Sequence, residues 1–288
     1  MDTKELILDI PAGKLAALEW GDPGGKRVLA LHGWLDNAAS FSNLAEYMNG
    51  HHLIALDLVG HGKSSHRPHG TTYHFVDYVA DVVDAATVLG WESYTLLGHS
   101  LGAGVASMIA SVCHKAVSEL VLIEGIGPIP ARTSDAPKRL AQAILKRRKC
   151  HEWRSLPYPD WRSVIEVRKQ AGDLSVEAAE LLVRRGAEAC EDGIRWRSDP
   201  RLRLPSPVYI AEEQAKAFLR AIVAPTLLVK ARRGLLNRLN FIDSRIKAVQ
   251  QIEVVELPGG HHLHLDEPQP VAAVILDFLA RNSHPMAR

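Results

Sequence analysis

Tyr94-Thr95-Leu96-Leu97-Gly98-His99-Ser100-Leu101-Gly102-Ala103-Gly104 decides how the rest of the chain is read. An apolar run of β character enters it and an Ala/Val/Met-rich helical run leaves it, so the G-x-S-x-G of residues 98–102 falls on a strand-to-helix turn. A serine on such a turn projects its hydroxyl above the sheet, and small residues two before and two after it let neighbouring backbone close in. The plainer reading is a glycine-rich turn in which Ser100 only caps the next helix. Partners in the right chain order separate the two readings.

On the N-terminal side, Leu6-Ile7-Leu8-Asp9-Ile10 and Leu15-Ala16-Ala17-Leu18-Glu19-Trp20 flank a Pro-Ala-Gly turn and predict an antiparallel hairpin. Arg27-Val28-Leu29-Ala30-Leu31 is a short continuous apolar run, as expected of a strand covered on both faces, and His52-Leu53-Ile54-Ala55-Leu56-Asp57 is the next strand. A helix is expected over residues 40–48, and Phe75, Val79, Val82, Val83 and Ala86 recur at helical spacing over 75–89. On the C-terminal side, Leu120-Val121-Leu122-Ile123, Ala224-Pro225-Thr226-Leu227-Leu228-Val229-Lys230 and Ile252-Glu253-Val254-Val255-Glu256-Leu257 add strands, and 271–280 a last helix. Strands alternating with helices call for an α/β fold with a mostly parallel, doubly wound sheet.

Between residues 127 and 221 the pattern changes. No comparable strand is expected there, and helices are read over 136–149, 161–171, 175–189 and 210–221. Ser175 with Glu177 in the first turn reads as an N-terminal cap. A structureless loop of this length does not fit a compact domain, so the stretch is read as an inserted helical cap, with the core at 1–126 and 222–288. From Arg132 to Arg203 the excess of Lys/Arg over Asp/Glu is +6, against +1 for the whole chain. Solvated faces of amphipathic helices account for that excess; a lid favouring carboxylate- or phosphate-bearing substrates is the sharper alternative.

With 288 residues, 47% hydrophobic and 23% charged, the composition is that of an ordinary globular protein, and a net charge of +1 supplies no argument for nucleic acid or an anionic membrane. Cys113, Cys150 and Cys190 are odd in number and widely spaced, which suggests neither a disulfide framework nor a zinc site. Met1-Asp2-Thr3-Lys4-Glu5-Leu6 opens with charge rather than an apolar leader, and no run reaches the length of a membrane span, so a cytoplasmic protein is expected. No pattern specifies an oligomer.

A serine hydroxyl needs a base within hydrogen-bond reach, itself oriented by a third group, and for a sheet-mounted G-x-S-x-G the expected order is Ser, Asp/Glu, His. Gly259-Gly260-His261-His262-Leu263-His264 offers three imidazoles near the C-terminus, and His261, directly after the two glycines, is assigned as base over His262 and His264. A zinc site made from the three histidines is the competing idea; it lacks nearby cysteines or an H-E-x-x-H helix, so no metal is expected. Two backbone donors must meet the oxyanion: the N–H of Leu101, after the nucleophile, and that of Trp34, in the His32-Gly33-Trp34 turn. Trp34, Leu35 and His99 are the residues expected to touch substrate.

Together, His32-Gly33, Asp57 with Gly60-His61-Gly62-Lys63-Ser64, residues 98–102 and Gly260-His261 resemble the α/β-hydrolase superfamily over almost the whole chain. More narrowly, His32-Gly33-Trp34-Leu35-Asp36-Asn37-Ala38, Trp196-Arg197-Ser198-Asp199-Pro200-Arg201-Leu202 and Leu228-Val229-Lys230-Ala231 are similar to its serine hydrolase-like (Kraken-type) branch. The resemblance implies a doubly wound, eight-stranded sheet with a helical cap, and esterase-like acyl transfer to water without a cofactor. In most of the superfamily the acid follows the strand corresponding to 225–229; here that turn, Lys230-Ala231-Arg232-Arg233-Gly234, has no carboxylate. Asp243 lies too far on, and Glu124, at the end of the strand beside the Ser100 strand, is the better candidate, a placement the resemblance extends to some haloalkane dehalogenases. Dehalogenase and epoxide hydrolase relatives carry Asp at the elbow where this chain has Ser100. The expected activity is hydrolysis of a small-molecule carboxylic ester or thioester, with an anionic one admitted by the basic cap. A cofactor-free perhydrolase would use the same triad, and the rival from another class is a binding or scaffold protein that keeps the fold without turnover. Trp153, Trp161 and Trp196 are read as packing between cap helices, with an acyl pocket as the alternative.

Overall fold

Successive residues of the apolar runs leave their strands on opposite faces, and helices cover both. A computed structural model describes residues 2–150 and 156–282. Its strands and helices run β1 (Lys4–Ile10), β2 (Gly13–Trp20), β3 (Lys26–Leu31), α1 (Ser42–Ala45), β4 (His51–Leu56), α2 (Asp77–Val88), β5 (Tyr94–His99), α3 (Leu101–Val112) and β6 (Val117–Ile123). There follow α4 (Ala136–Lys149), α5 (Trp161–Gly172), α6 (Val176–Gly186), β7 (Ala187–Cys190), β8 (Gly193–Trp196) and α7 (Glu212–Arg220). The chain closes with β9 (Thr226–Ala231), α8 (Ile242–Ile246), β10 (Ile252–Leu257), α9 (Leu263–Asp266) and α10 (Pro268–Asn282).

Eight strands form one sheet in the order β1-β2-β4-β3-β5-β6-β9-β10. The hairpin β1–β2 and the β2–β4 pair are antiparallel, and every later pair is parallel. In β6, Leu120 and Leu122 join one buried cluster with Val82, Ile109 and Ile242, while Val121 and Ile123 join the other with Phe41, Ile275 and Phe278. That alternation places α2, α3 and α8 on one face of the sheet and α1 and α10 on the other. The parallel strands β5, β6 and β9 end side by side, so the turns that follow them converge at one edge of the sheet, where ligands bind in open α/β sheets. No helix among the described residues is long and apolar enough to cross a membrane.

Two expectations are corrected. The helix expected over 40–48 is a single 3-10 turn, Ala38–Phe41, capped by Asn37, followed by only one turn of α1. The apolar spacing there is a packing pattern, since Phe41, Leu44, Ala45 and Met48 are all buried, and it does not require a long helix. The helix expected over 175–189 stops at Gly186, and the chain goes on as an antiparallel ribbon, β7–β8, in a stretch where no strand was expected. Four-residue strands are too short to carry a period of two. The ribbon is closed by Gly193 at φ 135° and extended by the Tyr158–Ile194 bridge, a contact distant in sequence. The cap at Ser175 forms as expected, its hydroxyl accepting from the Ala178 N–H.

Polar contacts hold α5 and α6 against the sheet edge. Arg185 of α6 lays its Nε 3.0 Å from both carboxylate oxygens of buried Asp57, and the Asn37 amide donates to the Leu182 carbonyl at 2.8 Å. Arg168 of α5 donates to Asp36, and Ser175 Oγ to Asp266 at 2.7 Å. In α4, by contrast, only Ala143 is buried.

Candidate active site

One residue makes the whole turn between β5 and α3. Ser100 sits at φ 51°, ψ −110°, a left-handed conformation that costs a non-glycine residue on the order of 1–3 kcal/mol. The Ser100 N–H donates to the Ile123 carbonyl at 2.9 Å and the Gly102 N–H to the His32 carbonyl at 3.1 Å, so the turn is stitched to the strand ends on either side. A Cβ on Gly98 would stand 2.5 Å from the Gly102 carbonyl oxygen, and one on Gly102 2.1 Å from that of Leu31. Sterics alone therefore demand glycine at both flanks.

His261 lies in the turn after β10, with its side chain 24% exposed and so reachable from the cavity described below. Its Nε2 is 2.9 Å from Ser100 Oγ and its Nδ1 3.1 Å from Glu124 Oε2. A carboxylate only accepts, so Nδ1 carries the hydrogen and Nε2 is left to accept the serine O–H. Glu124, buried at the end of β6 with φ 50°, takes the Ala231 N–H on Oε1 at 2.8 Å and the Leu235 N–H on Oε2 at 2.7 Å. The turn after β9, itself without a carboxylate, thus wraps the carboxylate of the neighbouring strand. A Cβ on Gly234 would lie 2.1 Å from Glu124 Oε2, so this turn must be glycine where it passes the carboxylate. Sequence reasoning missed Ala231 and Leu235, because backbone donors leave no residue-type signature, and Gly234, whose part is steric. The glycine in a turn lacking its acid was the available signal.

Trp34 and Leu101, the expected oxyanion donors, line the same cavity as Ser100. Leu101 is the first residue of α3, so its N–H has no acceptor within the helix. The His32-Gly33 turn is fixed by the imidazole of His32, which donates from Nδ1 to the Gly33 carbonyl at 2.7 Å and accepts the Leu58 N–H on Nε2 at 3.0 Å. Burial holds that ring below the usual histidine pKa. Of the residues expected to touch substrate, Trp34 lines the cavity with half its surface exposed, and its indole N–H donates to the Leu202 carbonyl at 3.2 Å. His99 lies at the floor with no exposed surface and turns its Nε2 to the His261 carbonyl, 2.9 Å away, and Leu35 packs against the core without lining the cavity. Trp161 and Trp196 pack with Val164, Val183 and Ile194 as expected, and Trp153 falls outside the described residues.

Behind the serine, Asp36 is buried against Arg168 and His262, the latter with its Nε2 3.2 Å from Oδ2. Burial alone would raise the Asp36 pKa; the His262 and Arg168 charges outweigh it and hold the carboxyl well below its usual range. Burial, then the neighbouring imidazole of His262, pushes fully buried His264 down to about 3.

A cavity of about 790 Å³ opens over Ser100, within the range of small-molecule sites. Its walls are mostly apolar, Phe75, Ile126, Ile129, Val208, Leu239 and Phe241 among them. Three arginines reach it. Arg168 is neutralised by Asp36 and Arg245 by Glu212, whereas Arg203 makes no ion pair among the described residues.

The comparisons agree with this architecture. Residues 26–155 match the alpha/beta hydrolase fold family. A serine hydrolase-like protein of Danio rerio is 31% identical over 97% of this chain and 89% of its own. The crystal structure of a hypothetical protein from Pseudomonas aeruginosa PAO1 superposes with a TM-score of 0.93 at 41% identity, covering 96% of this chain and 100% of that one. The thioesterase domain from the curacin biosynthetic pathway superposes with a TM-score of 0.84 at 29% identity, over 96% and 100% of the two chains. With a G-x-S-x-G turn at the carboxyl edge of an eight-stranded sheet and full-length relatives of this kind, the chain belongs to the α/β-hydrolase family and, within it, to the serine hydrolase-like proteins.

Proposed function

We propose that the protein hydrolyses a carboxylic ester or thioester through an acyl-Ser100 intermediate. The observation that carries this reading is the hydrogen-bonded chain Ser100–His261–Glu124 mounted on a strained elbow at the mouth of an apolar cavity. Ser100 Oγ attacks the carbonyl carbon as its proton passes to His261 Nε2. The Trp34 and Leu101 N–H groups meet the oxyanion, and His261 returns the proton to the departing alkoxide or thiolate. Water, deprotonated by the same imidazole, then cleaves the acyl-serine. Glu124 holds the tautomer throughout, and its two backbone donors keep it in place.

We read residues 127–221 as the cap over this cavity, with the acyl group against the apolar wall and Arg203 the cation available to an anionic head group. The thioesterase named among the relatives is in keeping with such chemistry. A binding protein without turnover drew its support from the turn after β9 that lacks an acid, and Glu124 beside His261 counts against it. A fluorophosphonate should label Ser100, and Ser100→Ala should lower hydrolysis of p-nitrophenyl acyl esters by about 10⁴-fold or more. Unchanged hydrolysis in that variant would remove the serine hydrolase reading, and a chain-length series would locate the acyl preference.

A further inference from the structure

We infer that Asp36, His99 and His262 form a binding site for a divalent transition-metal ion, beside the Ser100 triad and distinct from it. Their ligand atoms lie within 4.8 Å of one another, and all three residues are buried. Asp36 Oδ2 is 3.2 Å from His262 Nε2 and 3.9 Å from His99 Nδ1.

The hydrogen positions make this cluster unusual. His99 Nε2 faces the His261 carbonyl at 2.9 Å, and a carbonyl only accepts, so the hydrogen is on Nε2 and Nδ1 is a bare lone pair. That Nδ1 has no hydrogen-bond partner, on a ring with 0% exposure, and it points at a carboxylate oxygen, which is also an acceptor. His262 turns its Nδ1 to the Gly172 carbonyl at 3.2 Å and its Nε2 to both Asp36 Oδ2 at 3.2 Å and Arg168 Nη2 at 3.3 Å, so a metal ion at Nε2 takes the place of the proton that this nitrogen shares with Asp36. The unpartnered Nδ1 of His99, the Asp36 carboxylate and Nε2 of His262 thus converge, and each imidazole turns its other nitrogen to a backbone carbonyl, the arrangement that orients metal-ligating histidines.

Two imidazoles and one carboxylate suit Zn²⁺, Co²⁺, Ni²⁺ or Cu²⁺ rather than Mg²⁺ or Ca²⁺, which take oxygen ligands. Tetrahedral bonds of about 2.0–2.1 Å separate ligand atoms by about 3.4 Å. The widest pair must close by about 1.4 Å, and the others are near that spacing already. The three residues and Arg168 line the cavity over Ser100, which supplies both an entry path and an open fourth position. Arg168 is the resident cation, and an incoming ion displaces its contact with His262. The His99 and His262 rings stand 4.9 Å and 5.2 Å from that of His261, so a bound dication opposes protonation of the base and slows turnover. That last consequence rests on the hydrolase reading; the binding does not.

The test is Co²⁺ titration of the chelator-treated full-length Ser100→Ala protein, followed by the visible absorption of four-coordinate Co²⁺. The expected result is about one Co²⁺ per chain, weakened about 10²-fold or more by His262→Asn and by Asp36→Asn, and tightened about tenfold by Arg168→Gln, which removes the competing cation. Absence of the band, or binding that none of these substitutions alters, overturns the site. If the Asp36 variant fails to fold, Arg168→Gln decides alone: tighter binding supports the site and unchanged binding refutes it.

Discussion

His261 and His262 are neighbours in one loop, each faces a buried carboxylate, and the two carboxylates are held in different ways. Glu124 is met by backbone N–H groups of Ala231 and Leu235, and among the described residues no lysine or arginine pairs with it. Asp36 is met by the Arg168 guanidinium and by His262. A carboxylate stabilised by backbone dipoles keeps its unit charge for the imidazole it faces, which is what an acid orienting a general base requires. A carboxylate neutralised by arginine is an anchor, and here it ties α5 to the loop that carries His261.

The largest expected effect separates the two at once. Glu124→Gln should lower kcat by about 10⁴-fold, because the amide can present the wrong face to His261 Nδ1 and lose the tautomer. Asp36→Asn should lower kcat at most about tenfold, a split that steady-state kinetics on the two variants reads directly. Equal losses in both would erase the distinction between orienting acid and anchor. The Asp36 change should appear in stability instead, at about 3 kcal/mol in denaturant unfolding, since Arg168 is left buried against a neutral partner.

Gly234→Ala sharpens the comparison from the other side. Its methyl would meet Glu124 Oε2 and push the carboxylate off its backbone donors, with an expected loss of about 10²-fold in kcat and little change in KM. The smallest effect concerns histidines that take no part in proton transfer. His264, like His61, is depressed to about 3 by burial, so the unfolded chain takes up the proton first. Neither ring contributes a pH dependence above about 6.5, and stability falls as pH drops from there toward about 3, by about 1.4 kcal/mol per unit for each ring. Thermal melts between pH 7 and 5 should show this slope, reduced in His61→Phe.

Much of this molecule is legible before folding. The order Ser100, His261 and the His32-Gly33 turn follow from glycine-flanked motifs at the ends of apolar runs, because a backbone squeezed between strand and helix tolerates no side chain there. Glu124 was a candidate from its place at the end of the strand beside the Ser100 strand and from the turn after β9 that lacks a carboxylate, and the structure sets it 3.1 Å from His261. The ribbon β7–β8 was not legible, since four-residue strands carry no periodicity and their pairing depends on Tyr158, far off in sequence. Nor was the role of Arg168, which reads as one charge among many on a basic segment.

By itself, then, the sequence determined the alternation of strands and helices, the elbow, and the histidine that follows paired glycines, all of them set by local sterics and hydrophobic period. Only the tertiary structure decided that the β9 turn cradles Glu124 with its amides, that His99 supports the His261 backbone, and that Asp36, His99 and His262 converge. The physical reason is that parallel strands bring together residues more than a hundred positions apart, and hydrogen bonds from backbone groups, which every residue possesses, leave no mark in the order of side chains.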